Sequence, residues 1–232
     1  MKKKLTGLLI LFTIHTQAQS GFLAVGINLS YGSNTGLNQL VKYYNDTRTW
    51  LSDPMEDFHF TPGAALAFGA IVNDRFLMDF SWTGRHQTQK AGGVSPSTGT
   101  NGYREIKVRE NTGGFDFGFG ISEPAGVGIF LGASFDFGFT HTKTRTWSDG
   151  ESIPKFTEVP DMKVMLASSI FLDIRSMQSG FSIRPYYQLH YFKVDYSYEN
   201  EVINNASVMF EDPALASRPN NAGVLLCFVV GG

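Results

Sequence analysis

The five-residue string Phe-Asp-Phe-Gly-Phe occurs twice, at residues 115–119 and 135–139, and a turn-like Ser-Glu-Pro-Ala-Gly sequence separates the copies at 122–126. Because successive side chains of a β-strand point to opposite faces, each copy places three phenylalanines on one face and an aspartate and a glycine on the other. A hairpin that turns near residue 124 keeps its aromatic faces together only if the numbers of paired residues have an even sum. The sequence therefore predicts a β-hairpin with one strongly apolar face and one small, polar face.

The composition of the whole chain has the same character. It contains 20 Phe and 25 Gly among 232 residues, and only 17% of the residues are charged. A chain of this length suits one all-β domain. Beyond the N-terminus no stretch approaches the roughly 18 consecutive apolar residues of a transmembrane helix, so strands would have to carry the chain across a membrane.

The first 18 residues have the composition of a secretory signal peptide. Three lysines at 2–4 precede an apolar stretch at 5–14, and Ala18 ends a cleavage motif of small residues. We expect residues 1–18 to be removed and residues 19–232 to form one barrel domain. Without those lysines, 16 basic and 21 acidic residues remain, a net charge of −5. This balance argues against nucleic acid as a partner, and Cys227, the only cysteine, allows no disulfide within the chain.

Alternating apolar side chains predict eight strands. Six lie at 21–32, 58–72, 75–87, 161–175, 181–191 and 221–230, and two lie in the central hairpin at 114–140. The connections after the second, fourth and sixth strands have about two to five residues, whereas the other connections have roughly ten to 25. This alternation places every short turn at one end, which is typical of outer-membrane barrels with short periplasmic turns and long extracellular loops.

Two kinds of barrel fit this pattern. A soluble lipocalin-like barrel would bury the apolar face, whereas a membrane barrel turns it toward lipid. The membrane alternative is favoured because the apolar runs of about nine to eleven residues can cross the hydrocarbon and the opposite face is mostly Gly, Ala and Ser. Aromatic residues near the long loops would form the interfacial girdle: Tyr31, Trp82, Phe139 and Tyr191. We predict an all-β fold, an eight-stranded antiparallel up-and-down transmembrane β-barrel in the bacterial outer membrane.

The chain resembles the small eight-stranded outer-membrane barrels of the OmpX and OmpA type, and more narrowly the PorT-like barrels of bacteria with a dedicated outer-membrane secretion system. The resemblance covers essentially the whole mature chain and rests on the signal peptide, the length and the strand pattern. It implies the barrel fold and, for the PorT-like family, an accessory role in secretion.

With the phenylalanines toward lipid, seven polar residues face the lumen: Asp79, Asp116, Asp136, Asp173, Arg184, Gln188 and His190. Buried charges persist when they are paired, so Arg184 should bridge at least one aspartate. The network would act either as a structural polar core or as a proton or ion relay. An eight-stranded barrel holds little beyond its own side chains, which favours the structural role. Pro185, in the middle of the seventh strand, predicts a β-bulge.

Enzymes that modify lipids exist on this architecture, but no nucleophile and base can be assembled from the spacing of the histidines at 59, 86, 141 and 190. His141 beside Thr142 is the nearest candidate, and a solvated pair at the rim is favoured over a catalytic one. The acidic group at 53–57 could bind calcium but lacks a regular ligand spacing. We therefore predict no catalytic residue, no metal and no cofactor.

The long loops are the better place for function. Apolar residues at helical spacing predict an amphipathic helix at 36–45, which could cap the barrel mouth or present a binding surface. Exposed aromatic residues often anchor interfaces, and four in the loops are candidates: Tyr43, Trp50, Trp147 and Phe210.

The predicted function is non-enzymatic: a monomeric structural or binding component that contacts outer-membrane lipid and meets a protein partner at its extracellular loops, as an accessory to secretion or adhesion. The alternatives are an outer-membrane acyltransferase or deacylase acting on lipid, and a soluble secreted ligand-binding barrel.

Overall fold

The computed structural model describes residues 20–122, 126–176, 180–205 and 212–231. The predicted signal peptide, the centres of the turns near 124 and 178, and Phe210 lie outside the described residues. Within them, strands account for most of the chain, and two helices lie in the long loops. None of the helices in these ranges is long and apolar enough to cross a membrane.

In chain order the elements are β1 (Ser20–Gly32), α1 (Thr35–Asp46), β2 (Leu51–Asp53), β3 (Phe60–Val72), β4 (Phe76–Val94), β5 (Asn101–Ser122), β6 (Val127–Ser148), β7 (Thr157–Glu158), β8 (Lys163–Ser176), β9 (Phe181–His190), β10 (Val194–Asp195), α2 (Ser197–Asn204), a 3₁₀ turn (Pro213–Leu215), β11 (Ala216–Ser217) and β12 (Asn221–Val230).

The eight longest strands close into a ring in the order β1, β3, β4, β5, β6, β8, β9, β12 and back to β1, and every pairing in the ring is antiparallel. The ring confirms the predicted eight-stranded up-and-down barrel. In the central hairpin Phe115 pairs with Phe135 and Phe117 pairs with Ala133, so the paired numbers have an even sum as expected. The phenylalanines of both copies of the repeated string therefore share the outer face.

The prediction of a β-bulge at Pro185 is wrong. Pro185 pairs with Val224 of β12 in an unbroken register. On the β8 side, Phe171 pairs with Tyr186 and Ile174 pairs with Ile183, so the register is the same on both sides of the proline. Proline has no backbone N–H to donate, and the ladder between β8 and β9 lacks residue pairs at Pro185. No extra residue is inserted into the strand.

The second long loop of the sequence prediction is a β-hairpin instead. Strands β4 and β5 stay paired from Arg85 and Glu110 up to Val94 and Asn101, and only residues 95–100 connect them. The strands continue because their inward side chains, among them Ala91, Ile106 and Val108, are buried against the loop helices. Strands β4, β5 and β6 therefore extend well beyond the rest of the barrel on the loop side.

The outer surface of the barrel is an apolar belt. Phe117 and Phe228 expose 55% and 71% of their surface, and the aromatic residues predicted for the girdle are all exposed. In water an apolar surface of this size would drive association, whereas in a bilayer it contacts hydrocarbon. The closed ring pairs its own backbone groups, as a spanning structure must. The chain is therefore a transmembrane β-barrel of the bacterial outer-membrane type.

Three layers of side chains fill the inside. An apolar layer lies at the short-turn end and includes Phe22, Leu77, Phe130 and Phe171. A layer of charged and polar side chains follows in the middle. At the loop end, a second apolar cluster joins α1, α2 and the strand extensions, and we call this assembly the cap.

Candidate functional site

Arg184, on β9, is the centre of the polar layer. Its Nη1 donates to Asp116 at 2.6 Å and its Nε donates to Asp173 at 2.7 Å. Its Nη1 and Nη2 also donate to the two carboxylate oxygens of Asp79, at 3.2 and 2.6 Å. Asp79 and Asp116 are direct neighbours across β4 and β5, where like charges repel. One guanidinium therefore compensates three buried carboxylates, as the sequence predicted for at least one.

Arg175, which the sequence analysis missed, supports the same cluster. Its Nη2 lies 3.3 Å from Oδ2 of Asp173, and its guanidinium stacks 3.8 Å from the ring centroid of Phe22. The side chain thus connects the polar layer to the apolar layer below it. The alternation of side chains along β8 could have identified Arg175, because residues 173 and 175 share the inward face of this strand.

Asp136 makes its hydrogen bonds to residues other than Arg184. It accepts hydrogen bonds from the hydroxyl of Ser134 at 2.6 Å, from the amide of Gln188 at 2.7 Å and from the hydroxyl of Ser169. His190 is buried in the lumen, and its Nδ1 has no hydrogen-bond partner among the described residues. All seven predicted interior residues thus lie inside the barrel. Arg184 with its three aspartates forms one hydrogen-bonded group, Asp136 with Gln188 forms another, and His190 belongs to neither.

Arg85 and Glu110 form a further buried ion pair that the sequence analysis did not identify. Nη2 of Arg85 lies 3.1 Å from Oε2 of Glu110, and Nη1 donates to Asn221 at 3.0 Å and to Tyr186 at 3.3 Å. Arg85 shares the inward face of β4 with Asp79. Glu110 shares the inward face of β5 with Asp116, but it lies before the predicted start of that strand.

The interior is arranged for packing and charge compensation. Polar cavities of about 40 Å³ each lie in the lumen, enough for a few water molecules. No group of three His, Cys, Asp or Glu side chains in the described ranges is placed to hold a metal ion. At the candidate catalytic pair, Thr142 is buried on the inner face while His141 lies on the outer face. Two side chains on opposite faces cannot act on one substrate.

The cap is a folded unit rather than a set of loose loops. Helix α1 covers the predicted span of 36–45 and confirms that prediction; its N-cap Asn34 accepts a hydrogen bond from the backbone N–H of Leu37. Leu40 of α1 and Ile203 of α2 are fully buried in the cap cluster. The side-chain amide of Asn34 also donates to the hydroxyl of Tyr196 at 2.6 Å. Two loops distant in sequence are therefore joined over the barrel mouth.

A cleft of about 340 Å³ opens between the cap and the tips of the extended strands. Two arginines flank the ring of Tyr44, Arg48 at 4.0 Å and Arg104 at 5.7 Å from its centroid, and Trp50 lines the same cleft. Burial is the main reason that the pKa of Arg104 lies below its usual value, and the charge of Arg48 adds to the effect. Arg104 nevertheless stays charged at neutral pH.

Neither arginine has a carboxylate partner in the part of the chain that the structure describes. Arg48 donates to Asn204 at 3.2 Å and to the backbone of Tyr44, and Arg104 donates to the carbonyl oxygen of Ile203 at 3.1 Å. Their positive charges are therefore available to a bound anion.

Two of the four predicted loop aromatics, Trp50 and Trp147, line this cleft together, whereas Tyr43 is not among its lining residues. Trp50 lies on the inner side of the extended sheet, beside Gly102, whereas Trp147 lies on the outer side and stacks on Tyr103 at a centroid distance of 5.4 Å. Tyr43, on α1, donates a hydrogen bond to Asp212, which raises the pKa of Tyr43 and lowers that of Asp212.

No protein-family model and no curated protein matches the chain. The solved structures that are similar to it include two of Ail, the attachment invasion locus protein of Yersinia pestis. The complex with the heparin analogue sucrose octasulfate is 10% identical over 90% of this chain and 96% of its own, with a TM-score of 0.35. The other structure is 13% identical over 90% and 95%, with a TM-score of 0.40.

Proposed function

We propose that the protein is a non-enzymatic outer-membrane binding protein whose extracellular end recognises an acidic segment of a protein partner. The observation that supports this function is the cleft in which Arg48 and Arg104 flank Tyr44 without a carboxylate partner among the described residues. Guanidinium groups bind carboxylates through paired hydrogen bonds. Trp50, at the edge of the same cleft, supplies an aromatic contact of the kind that anchors interfaces.

The cap suits this role because it holds the cleft in place before a partner arrives. Tyr44 and Leu40 are buried in the cap cluster, so α1 cannot rotate Arg48 away without exposing apolar surface. Binding to a preformed site loses less conformational entropy than binding to a mobile loop. A rigid extracellular cleft on a barrel filled with side chains fits a monomeric accessory to adhesion or secretion rather than a channel or an enzyme.

The test uses the refolded full chain and measures binding of a hexaglutamate peptide, with hexaglutamine as the neutral probe. Hydrogen bonds to charged groups contribute about 1.5–3 kcal/mol each, so the double variant Arg48→Gln and Arg104→Gln should bind hexaglutamate at least about tenfold more weakly. Lys42→Gln removes an exposed positive charge from α1, outside this cleft, and should leave binding unchanged. Equal affinity of the double variant and the wild type would disprove the proposal.

A further inference from the structure

A second group of charged side chains lies on the outer face of the strand extensions, away from the cap and its cleft. Cross-strand pairing between β4, β5 and β6 arranges them in rows just beyond the aromatic girdle. The first row contains His86, Arg109 and His141, and the second contains Thr88, Lys107 and Lys143. These residues alternate along their strands with inward side chains such as Arg85 and Val108, so both rows face away from the barrel axis.

The pairing within the second row is electrostatically unfavourable. Lys107 lies directly opposite Lys143, and like charges in such positions destabilise a sheet. In the first row Arg109 lies directly opposite His141, whose lowered pKa leaves the imidazole neutral at neutral pH. Glu158 is the neighbouring carboxylate, 3.7 Å from Lys143 and 3.8 Å from His141, and more than half of its side chain is exposed. Arg109 has no ion pair among the residues that the structure describes.

The next row shows that this arrangement is not a general property of the sheet. There Glu105 lies between Lys90 and Arg145, and Arg145 binds Glu105 at 2.6 Å. Opposite charges alternate in that row, whereas cations accumulate in the two rows below it. The two lower rows together place Lys107, Arg109 and Lys143 against the single carboxylate of Glu158, a larger positive excess than that of two cations and one carboxylate in this row.

The two rows lie at and just above the height of the lipid headgroups. Phe139, in the girdle, precedes His141 by two residues and Lys143 by four on β6. At a rise of about 3.3 Å per residue and a tilt of about 45°, the rows lie roughly 5 and 9 Å above the girdle. The headgroup region on each side of the hydrocarbon is about 5–8 Å thick. The first row, with Arg109, thus lies within the headgroup region. The second row lies just above it, where the long side chains of Lys107 and Lys143 can extend down to the headgroups.

We infer that Lys107, Arg109 and Lys143 form a binding face for the phosphate groups of anionic lipids in the leaflet around the loop end of the barrel. Arginine binds phosphate through paired hydrogen bonds, and lysine contributes point charges that adapt to headgroup position. Bound phosphate would also offset the repulsion between Lys107 and Lys143. The face would orient the barrel and retain a selected lipid, independently of the partner cleft in the cap.

The pKa of His141 can report whether phosphate is bound at this face. Burial is the main cause that lowers the pKa of His141, Glu158 opposes the shift, and Lys143 and Arg109 add to it. A phosphate bound at these cations would stabilise the protonated imidazole. The pKa of His141, measured by NMR in bilayer discs, should therefore be higher with anionic than with zwitterionic lipid.

The direct test measures which lipid lies next to Trp82, in the girdle beside this face. The chain has three tryptophans, so Trp50→Phe and Trp147→Phe leave Trp82 as the single fluorophore. The full chain is reconstituted with brominated phosphatidylglycerol or brominated phosphatidylcholine, and quenching gives the relative affinity of the two lipids. A basic residue near a charged membrane surface contributes about fivefold, so phosphatidylglycerol should be preferred by at least about fivefold.

The triple variant Lys107→Gln, Arg109→Gln and Lys143→Gln should lose this preference, and the control Lys42→Gln with Arg218→Gln should keep it. Heat-modifiable migration on a gel checks that each variant has folded, and the single variant Arg109→Gln replaces the triple if it has not. Equal quenching by both lipids in the wild type, or an unchanged preference in the variant, would overturn the inference. Loss of the preference in millimolar inorganic phosphate, but not in equimolar chloride, would assign the face to a free anion and also overturn it.

Discussion

Arg184 and Asp79 form a two-point ion pair across the full width of the barrel, with Nη1 to Oδ1 at 3.2 Å and Nη2 to Oδ2 at 2.6 Å. Their strands, β9 and β4, are four positions apart in the ring of eight in either direction. The pair therefore connects opposite walls of the barrel. Because both side chains are buried, the contact fixes the shape of the lumen as well as its charge balance.

Substitution of Arg184 by Met should strongly destabilise the barrel. It leaves Asp79, Asp116 and Asp173 buried near one another with only Arg175 for compensation, and breaking a buried ion pair by removing one partner costs about 3–5 kcal/mol. Urea unfolding of the reconstituted protein, followed by tryptophan fluorescence, measures the loss. Arg218→Met, at an exposed position, is the control. An Arg184→Met barrel as stable as the wild type would contradict this role.

The sequence allowed Arg184 to be placed with the aspartates because two local rules suffice. The alternation of side chains puts Asp79, Asp116 and Arg184 on the inner face, and a buried charge needs a counter-charge. The same rules could not say that Asp136 binds Ser134 and Gln188 instead. That choice depends on the stagger between strands, which sets the height of each side chain along the barrel axis and is fixed only when the ring closes.

The cap was predictable only in part for a similar reason. The spacing of Leu37, Leu40 and Val41 identified α1 from local periodicity. Its packing against Ile203 and Ile106 joins segments more than 60 residues apart, and no local pattern encodes that contact. Extension of β4 and β5 past the membrane depends on the same burial, which is why the local sequence pattern predicts a loop in this region.

Phe117→Arg should block insertion of the barrel or lower its stability by about 2–4 kcal/mol, the cost of a positive charge near the bilayer midplane. Phe117 lies on β5 midway between the short turn and the girdle, with more than half of its surface toward lipid. Phe117→Leu keeps the position apolar and serves as the matched control. Folding into lipid vesicles, followed by gel migration, compares the three proteins. Efficient insertion of Phe117→Arg would show that this face does not contact hydrocarbon.

The cap should be more stable at mildly acidic pH than at neutral pH. Glu199 of α2 is buried 3.1 Å from Nζ of Lys163. Burial raises the pKa of Glu199. The charge of Lys163 lowers this pKa, and the charge of Asp161 raises it by a smaller amount. A carboxyl group whose pKa is higher in the folded than in the unfolded state stabilises the fold while it is protonated. This stability is fully present below the pKa of an unperturbed glutamate, about 4.3, and is lost as the pH rises through the raised pKa.

Amide exchange of α2 at pH 5 and pH 7.5, corrected for the intrinsic exchange rate, measures this dependence. Glu199→Gln should remove most of it, because the amide cannot ionise. Glu201→Gln, at an exposed position on the same helix, should leave the dependence intact. The same pH dependence in the wild type and Glu199→Gln would assign it to another group.

Removal of the cap should not create a channel. Replacement of residues 36–52 by a short Gly-Ser linker takes α1 off the barrel mouth, but it leaves Arg184 bound to Asp79 and Asp116 across the lumen and Arg85 bound to Glu110 above them. The cavity deeper in the lumen, about 40 Å³ beside Arg85 and Arg184, is lined by no residue of the deleted segment and holds only a few water molecules. Planar-bilayer recordings of the wild type and the variant should therefore both show no steady conductance. A stable conductance in the variant would mean that the cap closes the barrel; no conductance in either protein leaves the buried ion pairs as the barrier.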